Sequence, residues 1–95
     1  MMPRNSKYVV AYDITEDKER KKVDDLLKNF GFRVQKSVFE CRLTKRDQNR
    51  MLEGLEKLEL KTGFVSVYKL QPNSKVKEIG VKKDYNFDDG AAFVI

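Results

Sequence analysis

The chemistry open to this chain is set first by what it lacks. Its 95 residues include no histidine and a single cysteine, Cys41. That excludes a Ser-His-Asp triad, a Cys-His pair, a histidine general base, every histidine-containing zinc site and an internal disulfide. Cys41 sits in the alternating run Phe39-Glu40-Cys41-Arg42-Leu43 and reads as a small buried hydrophobe rather than a reactive thiol. The remaining tools are carboxylates, hydroxyls, Lys, Arg, Tyr and whatever hard cation a carboxylate could hold. Asp13 is the sharpest of these, because it is the one charged residue in the β-rich run Tyr8–Ile14. Taken alone, an aspartate at a strand end is ordinarily a cap or turn residue. A single carboxylate also holds Mg²⁺ poorly, since that ion wants near-octahedral oxygen coordination and keeps several waters.

The charge balance points to an anionic partner. Twenty basic residues face 15 acidic ones, and the whole excess of +5 falls in residues 1–50. Arg20 and Arg33 are either solvated charges or phosphate contacts, for which the guanidinium fork is well shaped. Lys18, Lys21 and Lys22 read as a wet helix face. Tyr8, Tyr12 and Tyr68 could stack on bases, but burial in a two-sided sheet is the simpler reading. Asp84, Asp88 and Asp89 lack the ligand spacing of a calcium loop. An RNA-recognition motif is discarded, because Leu60–Val67 (LKTGFVSV) matches its signature only at Gly63, Phe64 and Val65 and has Thr62 where a stacking aromatic belongs.

These side chains must be positioned by elements that periodicity predicts. Met1–Ser6 is a polar arm. In the strand Lys7–Ile14, Tyr8, Val10, Tyr12 and Ile14 share one face and Val9, Ala11 and Asp13 the other. Both faces are largely apolar, so both should be covered. Glu16–Phe30 is a predicted helix with the stripe Val23, Leu26, Leu27, Phe30, Thr15 as N-cap and Gly31 as its stop. Arg33–Leu43 is extended and long for one strand, with a break near Lys36–Ser37 as the alternative. Thr44–Leu60 is a second helix, opened by a Thr44/Asp47 capping box and striped by Met51, Leu52, Leu55 and Leu58. Phe64–Leu70 is a strand, Pro72-Asn73-Ser74 a turn, and Val76–Val81 a weaker strand. The final AAFVI is apolar to the carboxylate, which suggests pairing with a sheet edge of this or a second chain. The order β-α-β(β)-α-β-β suggests a two-layer α+β sandwich of ferredoxin-like type. If helices cover one face of the sheet, a second copy is the simplest cover for the other. No stretch is long and apolar enough to span a membrane and no apolar signal core opens the chain, so a soluble cytoplasmic protein is expected.

The combination Tyr12-Asp13-Ile14, then Asp17 and Arg20, then Gly31-Phe32-Arg33-Val34-Gln35-Lys36-Ser37-Val38-Phe39-Glu40 resembles the second CRISPR-associated protein of the adaptation module. The likeness is strongest over residues 7–43. It implies a single ferredoxin-like domain over residues 1–95, with a βαββαβ core at about 7–81 and an extra C-terminal strand in a dimer-crossing tail at about 82–95. The Arg33–Leu43 run should then be two strands, and two copies should pack sheet to sheet as a homodimer. It further implies a Mg²⁺- or Mn²⁺-dependent endonuclease that cleaves single-stranded RNA or double-stranded DNA and joins the integrase subunit in spacer acquisition. The alternative is a non-catalytic DNA-binding scaffold of the same assembly. The catalytic and metal-binding position carries over to Asp13, nucleic-acid contacts to Arg20, Arg33 and Ser37, and dimer contacts to Phe39, Phe93 and Val94. A two-fold dimer would give the metal two Asp13 carboxylates in place of one.

Overall fold

The structure is a computed structural model, and it describes residues 4–81. Phe93 and Val94, the 82–95 tail and the Asp84–Asp89 loop lie outside the described residues. Six elements follow in the order β1 (Ser6–Ile14), α1 (Asp17–Leu27), β2 (Gly31–Gln35), β3 (Val38–Leu43), α2 (Lys45–Lys57) and β4 (Gly63–Lys69). The sheet order is β2-β3-β1-β4, with every neighbouring pair antiparallel. This is the ferredoxin-like α+β sandwich.

The alternation of β1 sets the two layers. Tyr8, Val10, Tyr12 and Ile14 are buried against Val23 and Leu27 of α1, Met51 and Leu55 of α2, and Phe39, Cys41 and Leu43 of β3. Burial pushes the Cys41 thiol up to about 11, as expected of a packed and unreactive cysteine. The other parity of β1 looks away from the helices. There Val9 lies opposite Glu40 and Tyr68, Ala11 opposite Val38 and Ser66, and Asp13 opposite Phe64. Phe32, Phe64 and Tyr68 are exposed, so among the described residues nothing covers this apolar face.

The Arg33–Leu43 run is two strands, with Lys36–Ser37 forming the turn and a register shift between Arg33 and Gln35. Helix α1 is shorter than its pattern. Thr15 does not cap it. Its N–H donates to the Thr62 carbonyl at 3.1 Å, and the Glu16 N–H donates to Thr62 Oγ1 at 3.1 Å, so the entrance is satisfied from across the fold. The exit tightens into i→i−3 bonds at Asn29 and Phe30. Gly31 then begins β2 instead of stopping the helix, and it must be glycine because a Cβ there would overlap the Glu40 carbonyl oxygen. Thr44 does cap α2, accepting from the Asp47 N–H at 3.2 Å. That helix stops before Leu60 because Glu59 turns left-handed, at φ 50°. The turn at Pro72 forms as expected, with the Ser74 N–H on the Gln71 carbonyl at 3.0 Å.

Val76–Val81 is not a strand. A strand needs a ladder partner, and none of the described strands pairs with it. Ile79 is 92% and Val81 99% exposed. No helix among the described residues is long and apolar enough to cross a membrane.

Candidate active site

The C-terminal end of β1, β2 with its turn into β3, and one side of α1 converge on one hollow of about 410 Å³. Its walls are Tyr12, Asp13, Ile14, Arg20, Asp24, Arg33, Lys36 and Ser37. Four residues singled out from the sequence, Asp13, Arg20, Arg33 and Ser37, therefore meet at one place. The meeting is built by backbone: the Tyr12 N–H donates to the Ser37 carbonyl at 3.1 Å and ties the hairpin turn to the strand.

The individual roles are uneven. Asp13 is exposed, on the helix-free face. Arg20 Nη1 donates to the carbonyls of Ile14 (2.9 Å) and Thr15 (3.0 Å), and its Nη2 pairs with Asp17, so it staples α1 to the end of β1. Arg33 is more deeply committed. Its Nη2 lies 2.6 Å from Asp24 Oδ2 and its guanidinium 5.4 Å from the Phe39 ring centroid, in cation–π range. Its Nε is buried and has no acceptor among the described residues. Asp24 accepts from the Tyr12 hydroxyl as well. Burial, then this contact, push the Tyr12 phenol well above its usual range, so Tyr12 serves as a neutral donor.

Phe39 corrects one expectation. It is fully buried, opposite Val10 on the helix side of the sheet, where it packs in the core under Arg33. Strand parity turns it away from the uncovered face, so it does not offer a surface to a second copy.

Two residues of the site were missed in the sequence. Neither the apolar stripe nor the basic helix face read from the sequence includes Asp24. It is four residues from Arg20 and three from Leu27, at the stripe's edge, where a half-buried bridging carboxylate fits. Glu19 is likewise named in neither. It lies four residues before Val23, on the stripe itself, and that spacing was the available signal. Its carboxylate accepts from the N–H groups of Lys61 (2.7 Å) and Thr62 (2.9 Å) and from Thr62 Oγ1 (2.6 Å), clamping α1 to the start of β4 across from Asp13. The Thr62 hydroxyl and then the Lys61 N–H hold the Glu19 carboxyl below its usual range. A depressed folded-state pKa gives stability that is present above the unfolded value and is lost as pH falls through the folded value. Glu19→Gln should therefore unfold at lower urea than the wild type at neutral pH. The gap should close as pH is lowered through and below the usual carboxylate range of about 4.3. Urea midpoints measured across that range check this, and a gap that stays constant with pH contradicts it.

Among the described residues no three His, Cys, Asp or Glu side chains cluster as metal ligands. One chain thus offers a hard cation the free Asp13 carboxylate, with the Ser37 hydroxyl in the same hollow, while Asp24 is already engaged by Tyr12 and Arg33.

Fold and site together define a small α+β protein of ferredoxin-like architecture with a carboxylate-bearing, cation-lined hollow at the end of its first strand. The sequence profile of the family described as "CRISPR associated protein Cas2" matches residues 6–78, and the chain belongs to that family. It is 53% identical over 51 residues to "CRISPR-associated endoribonuclease Cas2 3" of Synechocystis sp., a match covering 54% of this chain and 55% of that protein. It is 40% identical over 78 residues to "CRISPR-associated endonuclease Cas2 2" of Thermus thermophilus, covering 77% and 82%. In the first comparison the chain spans just over half of its relative's length. Among solved structures, the protein TT1823 from Thermus thermophilus superposes with a TM-score of 0.75 at 36% identity, over 83% of this chain and 95% of that one. A chain of a "Partial Cas6-RT-Cas1--Cas2 complex" superposes with a TM-score of 0.58 at 30% identity, over 72% and 81%.

Proposed function

We propose that this chain is a metal-dependent phosphodiesterase acting on single-stranded RNA or double-stranded DNA, and that it works as a homodimer in a spacer-acquisition assembly with an integrase subunit. The observation that carries the reading is Asp13, an exposed carboxylate on the uncovered face at the mouth of a hollow that also presents Arg20, Arg33, Lys36 and Ser37. The names of the relatives, endoribonuclease and endonuclease, support the activity, and the likeness to a chain of a Cas1–Cas2 complex supports the assembly.

Two-fold packing of the uncovered faces supplies the second ligand. It brings two Asp13 side chains toward one axis, and it covers Phe32, Phe64 and Tyr68. Two such carboxylates, together with water and a phosphate oxygen, are a donor set suited to Mg²⁺ or Mn²⁺ and unsuited to softer ions. Such an ion, when bound, polarises the phosphate and makes its water a better nucleophile. The chain's own part is placement. Lys36 and the Ser37 hydroxyl meet a phosphate oxygen, Arg20 fixes the direction in which β1 leaves the sheet, and the Tyr12–Asp24–Arg33 bridge keeps the hollow's wall rigid.

A second reading, a non-catalytic DNA scaffold, is favoured by one observation: among the described residues of a single chain, Asp13 is the one free carboxylate in this hollow. Incubating the purified protein with labelled single-stranded RNA and duplex DNA in Mg²⁺, Mn²⁺ or EDTA separates the two. Cleavage that appears with the metals and vanishes in EDTA is the expected result. Binding of either substrate without cleavage under any metal condition would replace the nuclease with the scaffold.

A further inference from the structure

We propose a second phosphate-binding surface at the opposite end of β1 from Asp13, fitted to the backbone of a nucleic acid. This rests on the reading that the chain acts on nucleic acid. A notch of about 770 Å³ opens there, and its cationic lining is Arg4, Lys7, Arg42, Lys45 and Lys69, with no carboxylate among the lining residues. The five come from the chain start, β1, β3, the first residue of α2 and the last of β4, so the fold gathers them from distant parts of the sequence.

Two features mark the notch as more than a solvated rim. Arg4, Arg42, Lys45 and Lys69 are exposed and have no ion-pair partner among the described residues. In the Asp13 hollow, by contrast, Arg20 is paired with Asp17 and Arg33 with Asp24. The Asp13 hollow thus keeps Lys36 as its one unpaired cation among the described residues, whereas the notch at the far end of the strand gathers four. Second, Lys7 stands directly opposite Arg42 in the β1–β3 register. Like charges opposed across a ladder are destabilising, and Glu40, 3.1 Å from Lys7, offsets only one of them. A bound phosphate would relieve the repulsion that the protein alone retains.

The test is binding of a labelled duplex of roughly 24 base pairs, long enough to offer several phosphates to the notch, and of a single-stranded RNA across a salt series, in EDTA so that no cleavage occurs. Arg42→Gln/Lys69→Gln should lower affinity by about tenfold or more at 0.1 M salt and flatten the log–log salt slope by about 2, one unit for each lost phosphate contact. Lys18→Gln/Lys28→Gln, which removes the same charge from exposed positions of α1 and its C-cap, should leave the slope near the wild-type value. Removing the Lys7–Arg42 repulsion should leave the notch variant at least as thermally stable as the wild type, so weaker binding cannot be put down to misfolding. Equal affinity and slope in the notch variant and the wild type would overturn the proposal, including the case in which the chain's own 82–95 segment, with Asp84, Asp88 and Asp89, fills the notch. A wild-type protein that binds neither nucleic acid would overturn the underlying reading as well.

Discussion

Asp13→Asn protein should fold as the wild type does and lose metal-dependent cleavage by about a hundredfold or more, since the loss of a hard anionic ligand removes most of the charge that holds the ion against a phosphate. Asn keeps the size and one carbonyl oxygen of Asp but not its charge. The side chain is exposed and makes no hydrogen bond or ion pair among the described residues, so stability has no reason to fall. If the two copies approach across a two-fold axis, removing their mutual repulsion should stabilise the metal-free dimer slightly. Single-turnover cleavage in Mg²⁺ and Mn²⁺, beside a melting curve for each protein, gives both numbers. Cleavage at the wild-type rate would move the reaction away from Asp13 and leave the scaffold as the account of this chain.

Asp24→Ala should produce the largest loss of stability among the charged residues of the site, about 2–3 kcal/mol. Breaking a fully buried ion pair by removing one partner costs about 3–5 kcal/mol, because the other charge is left uncompensated. Here the side chains are 17% and 22% exposed, so water moderates the penalty for Arg33. The Tyr12 hydroxyl loses its acceptor in the same step, and a buried unsatisfied donor adds about 1 kcal/mol or more. The coupling is checked by a double-mutant cycle. In an Arg33→Met background, Asp24→Ala should cost clearly less than it does in the wild type. A denaturant midpoint for Asp24→Ala within error of the wild type would mean that the bridge contributes nothing in solution.

How far the sequence could be read depended on whether a residue's partner was local. The parity of β1, the Thr44 cap and the two helical stripes are set by neighbours within one turn or one strand, and all three hold in the structure. The division of Arg33–Leu43 was left open by its alternation, because Lys36–Ser37 carries neither Gly nor Pro, and only the family resemblance favoured two strands. What failed was long-range. Thr15 could not be recognised as a non-cap without knowing that Thr62, 47 residues on, comes beside it. Gly31 looked like a helix stop, but its reason is the Glu40 carbonyl on the next strand. Phe39 was assigned to an interface by the family resemblance alone, and alternation offered no check, because it shows which residues share a face but not which face meets the helices. Asp13 was placed on the Val9–Ala11 face by the same alternation, and the register confirms that position. Glu19 and Asp24 are the reverse case, since their spacing against Val23 and Leu27 is visible in the sequence and sets them on or beside the apolar stripe.

The central claim is that the site needs an Asp13 from each of two chains. Wild-type and Asp13→Asn proteins, unfolded together in equal amounts and refolded so that protomers mix at random, test it directly. A site built from both copies works only in wild-type pairs, so cleavage should fall to about a quarter of that of the same total amount of wild type, following the square of the wild-type fraction. Cleavage that falls to about a half, in proportion to that fraction, would show that each chain carries a complete site and would contradict the account.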